Sequence, residues 1–346
     1  METSRKTYFE KKITFLNVVL TLLIVLLHAK SPERWGLTLD MQYPLIYSTY
    51  IFCNISIPLF FFISGMLFYR NCTFTSLKRK LKTRIHSLLI PYLVWNTLFV
   101  AIFYALNNIP LFADKLNMSN VLNTPKEIIY SILNSSFTVL WFVKVLIIYN
   151  ICSPLILLML RKFKLAIILF LGSIIVALFA DYGYESPIRW LPIYILGTIM
   201  GQYEQYTPKT EKIFSKIHIR RLVGIILSTI LLILYILTIK NEASFISIFR
   251  FASPLIVWFL VDIIFGKYIA FGFKIKRWMG YTFFIYCTHQ FILNIIQKLC
   301  VINLQPTAFV LNATFIITPA ITVFICIGTA KFLSRYSFYK YLAGGR

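Results

Sequence analysis

Two of the four histidines stand in apolar stretches, where a titratable side chain is out of place. His28 closes the run Leu22-Leu23-Ile24-Val25-Leu26-Leu27-His28-Ala29, and His289 lies in Tyr286-Cys287-Thr288-His289-Gln290. An ionisable group in such surroundings is costly and marks a functional candidate. Imidazole is the side chain best matched to proton transfer near neutral pH. Each histidine also has a plainer account: His28 as an interfacial group at a helix end, His289 as a hydrogen-bonded bridge between helices. His86 begins an apolar run beside basic residues and His218 sits in a basic loop, so both read as interfacial.

Three cations form a second group: Lys144, Arg189 and Arg250, all within or at the ends of apolar runs. Snorkelling to an interface accounts for Arg189 and Arg250. Lys144 lies deeper, three residues after Trp141. Carboxylates are scarcer there, with Asp181 and Asp262 near run ends. Cationic groups with histidines among them suit a buried anionic ligand: a phosphate, a thioester oxyanion or an acidic sugar. The six cysteines show no CxxC spacing and four lie in apolar runs, so neither a disulfide framework nor a metal site is expected.

The elements that must hold these residues are set by composition. The 346 residues are 59% hydrophobic and 17% aromatic, with mean hydropathy +0.76 and only 14% charged. Soluble domains carry about 25% charged residues. The imbalance excludes a soluble enzyme, a disordered chain and a coiled coil. An all-α integral membrane protein is expected, one polytopic domain over 1–346 with lipid bilayer as its solvent.

A spanning helix needs about 20 mostly apolar residues. Ten such stretches are expected, at 13–29, 44–69, 85–106, 138–160, 165–182, 187–203, 221–239, 246–266, 279–298 and 308–330. With both termini cytoplasmic, 26 of the 35 Lys and Arg residues fall in inner segments and seven in outer ones. That asymmetry is the positive-inside bias. It accounts for most of the net charge of +23, so no nucleic-acid partner is called for. The first run is read as a retained span and no soluble domain is expected beside the spans. In this topology His28, Lys144, Arg189, Arg250 and His289 share one slab between mid-membrane and the outer face. Residues 125–133 carry apolar side chains at 128, 129, 132 and 133, one face of a helix lying on the outer surface. Prolines 58, 91, 154, 192, 254 and 319 predict bent helices around a cavity.

The chain resembles the membrane acyltransferase-3 family, integral-membrane O-acyltransferases of bacterial surface glycans. Val25-Leu26-Leu27-His28-Ala29 is similar to the end of that family's first span. Pro58-Leu59-Phe60-Phe61-Phe62-Ile63-Ser64-Gly65 resembles its phenylalanine-rich run into Ser-Gly. Arg84 followed by Leu89-Ile90-Pro91-Tyr92 resembles an Arg-to-Pro-Tyr element, and Trp141-Phe142 a Trp-Phe pair. Leu191-Pro192-Ile193-Tyr194-Ile195-Leu196-Gly197 and Tyr286-Cys287-Thr288-His289 resemble later elements in the same order. One position departs: Asn17 stands eleven residues before His28, where the family usually has arginine. Eleven residues are about three helical turns, so the two side chains face the same way.

The resemblance implies transfer of an acyl group, most often acetyl, from cytoplasmic acetyl-CoA as donor substrate to a hydroxyl of a polysaccharide or lipid-linked glycan. The expected setting is the bacterial cytoplasmic membrane, with no bound cofactor. His28 would act as general base or carry the acyl group briefly, and His289 would shuttle or orient the proton. Lys144 and Arg250 would stabilise the oxyanion or hold a phosphate. Arg84, in the basic cluster Lys78, Arg79, Lys80, Lys82 and Arg84, would receive CoA phosphates, although orientation charge explains most of that cluster equally well. Asn17, Ser64, Trp141, Tyr286 and Arg250 are the further substrate-binding candidates. A secondary transporter or exporter of glycan intermediates is the alternative, and a non-catalytic partner in polysaccharide assembly a third reading.

Overall fold

A computed structural model describes residues 2–107, 124–179, 183–203 and 217–345. Asp181 and residues 108–123, Lys115 among them, lie outside the described residues, as does the His218 side chain. The described elements are helical throughout. In chain order they are α1 (Glu2–Leu27), α2 (Ser31–Arg34), α3 (Pro44–Cys53), α4 (Ser56–Tyr69), α5 (Phe74–Arg84), α6 (Ile90–Asn107), α7 (Pro125–Asn134), α8 (Trp141–Ile151) and α9 (Ser153–Met159). They continue with α10 (Phe163–Phe179), α11 (Pro187–Tyr203), α12 (Ile217–Lys240), α13 (Glu242–Lys267), α14 (Thr282–Asn303), α15 (Ala308–Leu333) and α16 (Tyr339–Leu342).

Among the described residues, six helical stretches are long and apolar enough to cross a membrane: Pro44–Tyr69, Phe74–Leu106, Arg221–Lys240, Glu242–Gly272, Arg277–Asn303 and Ala308–Leu333. The pair α8 and α9, bent by 59° at its junction, makes a seventh if taken as one span. The other three expected stretches are also helical. However, α10 and α11 have only 17 residues each, and α1 carries Glu10, Lys11 and Lys12 before its apolar part. Together these features identify a multi-pass membrane protein.

Prolines shape the helices in different ways. Pro58 and Pro154 sit in the first turns of α4 and α9, where a missing N–H costs nothing. Pro91 follows a π-helical turn over Ile85–Leu89, while Pro192, Pro254 and Pro319 lie inside helices. The surface helix expected near 125–133 is α7, started by a Thr124–Glu127 capping box. Its Ile129 and Leu133 remain exposed while Tyr92 Oη donates to Leu133 O at 2.6 Å.

The tightest contact in the bundle joins α4 to α11. A Cβ on Gly65 would collide with Tyr194 O, and one on Gly197 or Gly201 with the backbone of Phe62 or Met66. Small residues four apart let membrane helices touch backbone to backbone. This contact presents Phe61 to Trp190, stacked at 5.4 Å. In the N-terminal half of α1, buried Lys12 pairs with Asp262 at 2.7 Å, and Tyr8 Oη donates to the other carboxylate oxygen at 2.7 Å. Lys12 Nζ also lies 3.3 Å from the Trp258 ring centroid. These contacts tie α1 to α13 and fix the face that α1 turns to its other neighbours.

Candidate functional site

That face is a stripe. Asn17, Thr21, Ile24 and His28 recur at the spacing of one side of a helix, and all four line a cavity of about 160 Å³. Thr21 Oγ1 donates to Asn17 O at 2.7 Å, so its hydroxyl is partly satisfied without leaving the stripe. The opposite walls come from α4 (Phe60, Ile63, Ser64, Leu67, Phe68), α8 (Trp141, Phe142, Val143, Leu146, Asn150), α11 (Tyr194) and α14 (Thr282, Phe283, Tyr286). Arg84, the last residue of α5, closes the set beside Leu88.

His28 lines this cavity and His289 lies against His28. Their ring centroids are 5.3 Å apart with the planes tilted by 49°. His289 is fully buried, and its Nδ1 lies 2.8 Å from Tyr286 O and 3.1 Å from Ile285 O. Both partners are carbonyls and can only accept, so Nδ1 is the nitrogen that carries the proton. Nε2 is left with the lone pair; among the described residues it meets no hydrogen-bond partner. The Tyr286 ring packs 6.1 Å from His289, while its hydroxyl donates to Val139 O at 2.5 Å. Tyr286 therefore lines the cavity and holds the start of α8 against α14.

The basic cluster divides on inspection. Lys80 Nζ donates to Phe68 O and Arg70 O at 2.6 Å each, closing the carbonyl end of α4. Lys78, Arg79 and Lys82 are exposed. Arg84 is the member that reaches the cavity, with its guanidinium carbon 5.6 Å from the Phe68 ring centroid.

Of the residues singled out in the sequence, Asn17, His28, Ser64, Arg84, Trp141 and Tyr286 line one cavity, with the His289 ring tilted against that of His28. Lys144 and Arg250 are not among the lining residues. Lys144 Nζ lies 3.5 Å from Asn134 O, at the carbonyl end of α7, where a cation is favoured by the helix dipole. Arg250 Nε donates to Asn54 Oδ1 at 3.1 Å, and its guanidinium carbon lies 5.0 Å from the Tyr184 ring. Tyr184 in turn packs 5.4 Å from Trp141, so Arg250 touches the cavity wall at one remove.

Thr21, Asn150, Tyr194 and Thr282 complete the polar lining and were not singled out. The signal was present for two of them. Thr21 is one turn beyond Asn17, and Asn150 is an amide in a helix whose other residues, Lys144 and Tyr149 apart, are apolar. Among the described residues no three His, Cys, Asp or Glu side chains gather as metal ligands would. The arrangement instead suits acid–base chemistry: a buried imidazole with a fixed tautomer, a second imidazole against it, and a cation at the same cavity.

Comparison with known proteins gives one match. Residues 11–342 fit the acyltransferase-3 family model, described as an acyltransferase domain. No curated protein and no solved structure matches the chain.

Proposed function

Because this chain belongs to the acyltransferase-3 family, we propose that it is an O-acyltransferase, acetyl being the first candidate group, working from acyl-CoA onto a hydroxyl of a surface or lipid-linked glycan. The donor enters from the cytoplasm and the acceptor from the outer side of a bacterial cell membrane. The observation that carries this reading is His28, its ring against that of His289, at a cavity that Arg84 also lines.

In the proposed reaction the acceptor oxygen attacks the thioester carbonyl carbon. An O–C bond forms, the C–S bond breaks, and the hydroxyl proton passes through imidazole to the departing thiolate, giving free CoA. His28 takes the proton because its ring lines the cavity. His289, with Nδ1 engaged by carbonyls, keeps Nε2 as an acceptor and orients or relays. Arg84 supplies positive charge for the donor's phosphates. Asn17 hydrogen-bonds where a cation stands in relatives of the family. Trp141 and Ser64 shape the wall.

Acetyl content of surface glycans in cells making His28→Ala or His289→Ala at normal membrane abundance tests this directly. Loss of acetylation in both variants is expected. Unchanged acetylation in both overturns the reading.

A further inference from the structure

Asn150 lies one residue from the end of α8, where the span breaks into α9 at an angle of 59°. A helix interrupted at membrane depth survives where protein or a cavity shields the freed backbone groups, and this break borders the cavity. Asn150 is 7% exposed. Its Nδ2 donates to Leu146 O at 2.6 Å. That carbonyl can only accept, which fixes which end of the amide is nitrogen. The other end, Oδ1, is buried and among the described residues meets no donor. A buried acceptor left so is costly unless something else supplies an N–H or O–H.

The position of Asn150 along the cavity narrows the source. The histidine end is marked by Tyr286, whose ring packs against His289 and whose hydroxyl holds Val139 O. Asn150 is nine residues beyond Trp141, about 13 Å along the helix. It shares its end of the cavity with Arg84: the Arg84 guanidinium faces Phe68, and Tyr69 Oη donates to Ser153 O at 3.3 Å, across the break from Asn150. A thioester held by its phosphates at Arg84 and presenting its carbonyl to the histidines must lay the connecting arm past Asn150. In an acyl-CoA that arm is pantetheine, with two secondary amides whose N–H groups each need an acceptor once out of water.

We propose that Asn150 Oδ1 accepts a hydrogen bond from an amide N–H of the donor's pantetheine arm, so that Asn150 selects for the donor. The inference rests on the acyl-CoA reading above. A hydroxyl of the glycan is the other donor that Oδ1 would satisfy, but it arrives at the opposite end of the cavity.

Binding of CoA to the purified full chain in lipid nanodiscs tests it, alongside two CoA analogues in which one or the other pantetheine amide is replaced by an ester. Each ester removes one N–H and little else. The wild-type protein is expected to bind CoA at least tenfold more tightly than one of the two analogues. Asn150→Leu abolishes that preference, whereas Asn150→Asp, which keeps an acceptor oxygen in place, retains it. Equal binding of all three compounds by the wild type, or a preference that survives in Asn150→Leu, overturns the assignment. A wild-type protein that binds no CoA overturns the donor reading itself, a different result from a lost preference.

Discussion

The His289 ring, pinned through Nδ1 to Tyr286 O at 2.8 Å, lies 5.3 Å from the ring of His28, contributed by the opposite end of the chain. One imidazole is held rigidly and fully buried; the other lines the cavity. Replacing His289 with asparagine preserves a donor toward the Tyr286 carbonyl but removes the Nε2 lone pair. His289→Asn is therefore expected to fold and reach the membrane like the wild type while losing about 100-fold or more in transfer rate. Thermal unfolding of the purified variant, read beside the rate of CoA release, separates the two effects.

Arg84 and Lys144 are expected to differ although both are cations set among apolar residues. Arg84→Met should weaken acetyl-CoA binding by tenfold or more, a change of about 1.4 kcal/mol or greater. Lys144→Met should lower the unfolding temperature modestly and leave that affinity unchanged, since its ammonium serves the carbonyl end of α7. Titration of labelled acetyl-CoA against each variant checks the contrast.

The Lys12–Asp262 pair makes a third case. Lys12 is 2% exposed, and its removal leaves a partly buried carboxylate with one donor fewer. Lys12→Met is expected to cost roughly 1–3 kcal/mol, because the Asp262 side chain, 38% exposed, is left to partial solvation. Lys11→Met, whose side chain reaches only the Ala270 carbonyl, should cost much less. The double variant Lys12→Met with Asp262→Leu should recover part of the loss, as a double-mutant cycle of unfolding midpoints would register.

Direction around each helix was only partly legible in the sequence. On α1 the spacing of Asn17 and His28 places both on one side, and both line the cavity. On α8 the same reasoning did not give the bearing of Lys144. Val143, Leu146 and Asn150 form the stripe that faces the cavity, and Lys144 is one residue round from it, about 100° away. The six quoted motifs proved informative for different reasons. His28, Arg84, Trp141 and Tyr286 line the cavity, while Gly65 and Gly197 are there because a Cβ has no room. The span that holds Pro154 is bent as expected, by 59°, with the proline in the first turn of α9 just after the break. The size of that bend was not legible, because Ser153 and Pro154 are flanked by apolar residues that read as one continuous span.

A fourth expectation concerns packing. Gly197→Leu forces α4 and α11 apart and should destabilise the protein by about 1–3 kcal/mol or more. Gly172→Leu, on α10 with open space where a Cβ would stand, should be neutral. The midpoint of thermal unfolding in detergent distinguishes them.

The glycine contact has a kinetic corollary. Two rods whose main chains touch cannot slide or part without losing the whole seam at once, so α4 and α11 travel as one plank. Any widening of the cavity then falls to its other walls, among them α1 and α14, which carry the two imidazoles.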